Sequence, residues 1–205
     1  WQDVLKRVQE TPGVTRASPL IEQPLLASFN GRVEAVLVRG NTAPDIKRLE
    51  DKRVDGVMAA LRPGSGNVAL GSRLAQDLGA RVGDVITIIN PQGRSTPFGT
   101  VPREIAYTVS AIFEIGVYDY DQAYVVMPIS DAQTLLLTGD TIGMIEVVTE
   151  DADKVEEILA PVADSLAGRA EVNSWKRINA SIFEALEVER VAMFFALSII
   201  VVVAA

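Results

Sequence analysis

Residues 191–205 read VAMFFALSIIVVVAA, with no charge, no Gly and no Pro. A chain carrying such a run must give it to a membrane or surround it with core. A bilayer crossing takes roughly 20 apolar residues, so by length alone the run also suits a core helix. It is apolar on every side, which a small domain rarely covers, and it meets no polar cap. We read it as roughly the first two-thirds of a transmembrane helix. A buried C-terminal helix is the competing reading. Both ends of the sequence read as cut, and the stretch from Trp1 has none of the basic and apolar regions of a secretory signal.

The remainder has the composition of a folded domain. Across 205 residues it is 48% hydrophobic and 22% charged, enough for one sizeable core or two small ones and too apolar for disorder. A net charge of −8 gains nothing from counterion release, so nucleic acid is not expected as a partner. There is no Cys and no His. That removes Cys/His nucleophiles, the Ser-His-Asp triad and the usual zinc ligand sets. No residue supplies a nucleophile with a paired base, so the chain is not expected to be an enzyme, and no cofactor or metal is expected. The missing cysteines suit an oxidising compartment and suit chance equally.

Local patterns give the elements. Val4, Leu5 and Val8 share one face of a short helix that Pro12 and Gly13 stop. Strands follow over 14–21, 25–29 and 33–38, the last two joined by Asn30 and Gly31, whose tolerance of positive φ suits a type I′ hairpin turn. A polar turn covers 45–51. Leu74 and Leu78 mark a short helix ending at Gly79, and strands are expected over 85–89, 105–113 and 124–127. Ile105, Tyr107, Val109, Ala111 and Phe113 alternate as one buried face. The closing part is a strand over 143–148, a helix over 151–166 containing Pro161, and a strand over 170–172. These elements predict an α+β fold: a split ferredoxin-like sandwich lobe from 1–41 and 142–173, with a β-rich lobe, 42–141, inserted. From Ser174, a candidate N-cap, one uninterrupted stalk helix is expected to run through 174–205 into the membrane.

Three segments carry a family resemblance. Residues 71–88, GSRLAQDLGARVGDVITI, resemble the G-x-x-L-A-x-x-L-G-x-x-x-G-D-x-I signature of the MacB-like periplasmic domain superfamily. Residues 96–103, 112–121 and 131–136 (TPFGTVPR, IFEIGVYDYD and DAQTLL), and then 174–190, SWKRINASIFEALEVER, resemble the lipoprotein-releasing ABC transporter permeases. The resemblance covers nearly the whole chain. It implies a four-span permease of the bacterial inner membrane, with this domain in the periplasm between spans one and two. It further implies a second permease subunit, a cytoplasmic ATPase dimer, a lipoprotein substrate and a soluble periplasmic lipoprotein carrier. In the carrier-recruiting subunit a protruding hairpin, the hook, grips the carrier, and here it should fall near 91–104. Others of the family bind substrate or combine both tasks. An efflux permease and a permease that signals to a cell-wall hydrolase are the alternatives.

The implied hook residues are Arg94, Thr96, Pro97, Phe98, Gly99, Val101, Pro102 and Arg103. From the residues alone, 91–103 hold three prolines, two arginines and no acid, a local charge of +2 in an acidic chain. Prolines remove ladder donors, so the segment is not expected to pair well and is expected to project. Phe98 is a candidate anchor and Arg94 or Arg103 candidate hydrogen-bond donors. A solvated loop with Phe98 folded back is the plain alternative. On the stalk, Ile178, Ile182, Phe183, Leu186 and Met193 form an apolar stripe. The resemblance implies a face toward the lipoprotein or the second subunit, and simple packing explains it equally. Asp119 and Asp121 are read as sharing a strand face, a weak calcium candidate beside the reading of a polar turn with packed tyrosines. The glycines of 62–67 lack the Lys-Ser/Thr end of a phosphate loop and read as a turn, and the Asn179-Ala-Ser sequon lies in the stalk and is discounted.

Overall fold

The computed structural model describes residues 1–96, 99–166 and 170–204, with their side chains except those of 94–96, 100, 182–184, 196 and 198–204. The chain divides into two compact units, Trp1–Gln9 with Arg16–Val148, and Glu10–Thr15 with Thr149–Ala205. This differs from the expected division of 1–41 and 142–173 against 42–141. The reason lies in the strand pairing.

Helix α1 (Gln2–Gln9) buries Val8. Strand β1 (Val14–Phe29) then merges the two strands expected over 14–21 and 25–29, because Gln23 and Pro24 stay in register opposite Val38 and Leu37 of β2 (Arg32–Asn41). The turn between them is the expected one, with Asn30 at φ 49° and Gly31 at φ 80°. The second half of β1 is hydrogen-bonded on both sides: Leu26 faces Ala35 of β2 and also Ile89 of β5 (Val85–Thr96). Strand β2 runs parallel to β7 (Tyr124–Pro128), β7 antiparallel to β4 (Asn67–Gly71), and β4 parallel to β6 (Gly99–Phe113). Strand β6 returns antiparallel to β5, so six strands close a ring. Strand β3 (Arg53–Gly56) adds to β6, and β8 (Met144–Thr149) adds to β1, where the Gly143 N–H donates to the Leu20 carbonyl. The first hairpin therefore belongs to the same sheet as the middle of the chain, and no separate inserted lobe forms within 42–141.

The ring is filled from its own strands by Leu25, Val38, Leu70, Ile88, Val109 and Met127, with Leu74 and Leu78 of α3 (Ser72–Leu78) and Leu135 of α5 (Ile129–Leu136) packed among them. A second core lies on the other face of β4, β6 and β7. There Phe113, Ala69 and Val126 meet Ile46 of α2 (Ala43–Arg48), Met58 and Leu61.

The alternation of 105–113 does not make one face. Between β4 and β6 the register shifts, Val68 facing Val109 while Ala69 faces Ala111, so Ser110 is an extra residue on β6. Such a bulge reverses which side later residues face. Tyr107 and Val109 thus join the ring interior, and Ala111 and Phe113 the second core. The bulge is bonded on both flanks: the Ser110 hydroxyl donates to the Val68 carbonyl at 3.3 Å, and the Ser110 carbonyl accepts from Val57 N–H at 2.7 Å. Gly56 has φ +79°, and a Cβ there would lie 2.2 Å from the Ser110 carbonyl oxygen, so only glycine fits.

In the second unit, α6 (Val155–Ser165) buries Val155, Leu159 and Val162, and Pro161 is accommodated inside it. The strand expected over 170–172 does not form. Its backbone is engaged locally, the Ala170 N–H with the Leu166 carbonyl and the Val172 carbonyl with the Arg177 guanidinium.

Two buried phenols report on the folded sheet. Burial, then the nearby Asp131 carboxylate, pushes Tyr107 up to about 12, opposed by Arg103. Burial also pushes Tyr124 up to about 12, opposed by Arg39 and reinforced by Glu22, Tyr120 and Glu146. The folded state holds these protons more tightly than the unfolded chain, so the contribution is complete below about pH 10 and lost as pH rises toward 12. Urea midpoints should fall across that window, and Tyr107→Phe should flatten the fall. An identical pH profile for the variant would show that Tyr107 does not carry it.

Candidate functional site

The segment expected to resist pairing is paired. Beyond Asn90 opposite Arg103, the strands β5 and β6 continue as a ribbon, with Arg94 opposite Val101, Ser95 opposite Thr100 and Thr96 opposite Gly99. Pro91 and Pro102 both lie where the register shifts between Asn90 and Arg94, so neither occupies a regular ladder position. Pro97 and Phe98 lie outside the described residues.

The described ribbon is open to solvent. Val101 is 55% exposed, and Pro91, Gln92, Gly99, Pro102 and Glu104 are exposed as well. Arg103 belongs to the root. It is half-buried, its guanidinium is close enough to oppose the upward shift of Tyr107, and its Nε has no hydrogen-bond partner among the described residues. Of the expected hook residues the structure thus aligns Arg94, Thr96, Gly99, Val101 and Pro102 along one ribbon and places Arg103 beneath them.

The second group of candidates begins with a cap. Ser174 is the N-cap of α7 (Trp175–Ile178), and its hydroxyl oxygen accepts from Arg177 N–H at 3.2 Å while donating to Glu156 Oε1 at 3.0 Å. Trp175 Nε1 donates to the Ala152 carbonyl at 3.0 Å and Lys176 Nζ to the Asp153 carbonyl at 2.6 Å. These three side chains clasp α7 to the N-terminal end of α6. Ser174 was legible as a cap; its partner Glu156, and the parts taken by Trp175 and Lys176, carried no local signal because the partners lie about twenty residues away.

The single stalk helix expected over 174–205 is broken. Asn179 leaves helical geometry (φ −104°, ψ 21°), its side-chain amide donates to the Trp175 carbonyl at 2.7 Å, and α8 (Ala180–Ala204) starts after it. An Asn amide competing for a helical carbonyl gives the chain an alternative to the regular ladder. Ile178 is 72% exposed, and Leu186 and Met193 are exposed also. The side chains of Ile182 and Phe183 lie outside the described residues. Among the described residues no helix is long and apolar enough to cross a membrane.

The acidic aromatic segment is a helix rather than a strand. In α4 (Tyr118–Ala123), Asp121 is 2% exposed, and its two carboxylate oxygens accept from the N–H groups of Ile115 and Gly116 at 2.7 and 3.0 Å. Asp121 therefore holds a loop. No group of three or more His, Cys, Asp or Glu suited to a metal occurs among the described residues. Tyr120 stacks on Tyr124 at 4.8 Å and Arg73 lies 4.5 Å over Tyr118, while both Tyr118 and Tyr120 remain exposed.

A family model described as the MacB-like periplasmic core domain matches residues 1–164. The lipoprotein-releasing system transmembrane protein LolC of Neisseria meningitidis serogroup B is 30% identical over 209 residues, covering 100% of this chain and 50% of that protein. LolC of Xylella fastidiosa is 31% identical over 208 residues with the same coverage, and LolE of Haemophilus influenzae 25% over 212. The chain spans about half the length of the curated relatives it matches. In structure it is similar to the periplasmic region of MacB from Actinobacillus actinomycetemcomitans, with TM-score 0.54, 12% identity and coverage of 91% of this chain and 82% of that one. The extracellular domain of the noncanonic ABC-type transporter YknZ from Gram-positive bacteria gives TM-score 0.54 at 13% identity, covering 81% and 83%. At such identities the likeness speaks for the fold.

The clasp makes a direct prediction. Ser174→Ala removes a cap and the Glu156 contact and should cost about 1 kcal/mol in urea unfolding followed by Trp175 fluorescence. Ser174→Asn, a good cap, should recover most of it. No change in Ser174→Ala would mean that the cap contributes nothing.

Proposed function

We propose that this chain, which belongs to the MacB-like periplasmic core domain family, is the periplasmic domain of a lipoprotein-releasing ABC transporter permease. The observation that carries this reading is the match, over the full length of this chain and half of theirs, to proteins named lipoprotein-releasing system transmembrane proteins. The likeness to MacB and YknZ supports the permease class through the fold.

In this reading the domain lies on the periplasmic face of the bacterial inner membrane, and α8 leads into a membrane span. A second permease subunit and a cytoplasmic ATPase dimer complete the machine. ATP is hydrolysed by the ATPase subunits, and this chain performs no chemistry. Its own task is to receive a lipoprotein drawn from the membrane and pass it to a soluble periplasmic carrier. The exposed apolar residues Ile178, Leu186 and Met193 suit a face toward the lipoprotein or the second subunit.

The hairpin formed by β5 and β6 suits the carrier contact. Its outer part, 91–103, exposes Pro91, Gln92, Gly99, Val101 and Pro102, is stiffened by pairing, and carries +2 in a chain of net charge −8. A pre-ordered protrusion loses little conformational freedom on binding, and charge opposite to the rest of the chain selects acidic or carbonyl-lined partner surfaces. Phe98, which lies in the sequence between the two strands, is the proposed anchor, with Arg94 as hydrogen-bond donor.

The test is a titration of this chain, in detergent, with the soluble lipoprotein carrier of the same bacterium. Binding by the wild type is expected. Phe98→Ala should weaken it by about 2 kcal/mol, roughly thirtyfold, with an unchanged thermal midpoint. Unchanged affinity would remove the anchor role from Phe98, and a large drop in melting temperature would place its ring in the fold instead. No binding by the wild type would overturn the carrier reading.

A further inference from the structure

The hairpin is regular at its base and at its tip but not between. Pairing holds from Val85 opposite Thr108 to Asn90 opposite Arg103, then resumes at Arg94 opposite Val101. Three residues of β5, 91–93, therefore face the single Pro102 of β6. Excess residues on one strand bend and twist it, so the tip leaves the ring in a direction that this bulge sets.

Several features lock the bulge in one shape. Asn90 is buried, and its Oδ1 accepts from Gln92 N–H at 3.0 Å, a turn made by the side chain. A Cβ on Gly93 would lie 2.2 Å from the Val101 carbonyl oxygen, 2.7 Å from Arg103 N and 2.9 Å from the Pro102 carbonyl carbon. All three are backbone atoms, so no side-chain rotation relieves the clash. Pro91 and Pro102 have no N–H to lose, so the broken register strands no ladder donor at either proline.

We infer that the 91–93 bulge, locked by Asn90 and Gly93 against Pro102, is a positioning device that aims the hairpin tip at its partner. In its partner this rests on the carrier reading above. Neither Asn90 nor Gly93 need touch the carrier; both act through the placement of the paired stretches 94–96 and 99–101.

The experiment reads direction and binding separately. The chain has no cysteine, so Val33→Cys on β2 and Val101→Cys on the tip, both exposed, place two nitroxides without ambiguity. The wild-type background should give one narrow distance distribution. Gly93→Ala should shift or broaden it by several ångström, with the thermal midpoint little changed and carrier affinity reduced roughly tenfold. Asn90→Ala should do the same, while Asn90→Asp, which keeps the acceptor, should restore both distance and affinity. If Gly93→Ala does not fold, the Asn90 pair decides. Unchanged distances in the variants overturn the inference, and shifted distances with full carrier affinity overturn its functional half. A wild type that does not bind the carrier sinks the carrier reading but not the bulge, whose hold on the tip the distances judge alone.

Discussion

Strand β6 must be apolar on both faces at once, and the rest of the first unit is arranged around that demand. Toward the ring it presents Tyr107 and Val109; toward the second core, Ala111 and Phe113. Strict alternation cannot deliver both sets from odd-numbered positions, so an extra residue is needed. Ser110 supplies it, with a hydroxyl bonded to β4 and a carbonyl bonded to Val57. A larger or purely apolar residue would leave the Val68 carbonyl without that donor. Gly56 completes the arrangement by leaving room beside the Ser110 carbonyl.

The same strand then leaves the sheet and becomes half of the exposed hairpin. Continuity matters for the proposed role. A loop tethered to a surface can point in many directions, whereas a ribbon continuous with two ring strands inherits their orientation up to its last regular pair. Under the proposed function, that continuity would give the carrier contact a paired base already in place.

The sequence was most legible where the signal is local. The Asn30–Gly31 turn, the α3 helix with Leu74 and Leu78 inside, and the Ser174 cap each depend on neighbours within a few residues, and each appears in the structure. It was least legible where strand partners are distant. Nothing near Leu26 says that it will be paired on both sides, so local pattern points to 1–41 joining 142–173 in a split lobe rather than to a closed ring. The prolines of 91–103 are legible as ladder breakers but not as markers of a bulge, because only the register shows that Pro91 and Pro102 fall at the same irregular point. Nothing local marks Asn179 as a break, since its capture of the Trp175 carbonyl depends on how α7 is held.

Ring closure gives the hairpin an unequal resistance to force. A load that separates β5 from β6 at the tip breaks hydrogen bonds one pair at a time, so it peels the ribbon easily from Thr96 and Gly99 back to Arg94 and Val101. There the ladder is already interrupted, and the next pair, Asn90 with Arg103, adjoins strands held by neighbours on their other edges: β5 by β1 through Ile89, β6 by β4 from Thr108 onward. Peeling further would load strands that belong to the closed ring. The irregular stretch therefore marks a natural stopping point for unzipping from the tip, above a ring whose strands remain paired.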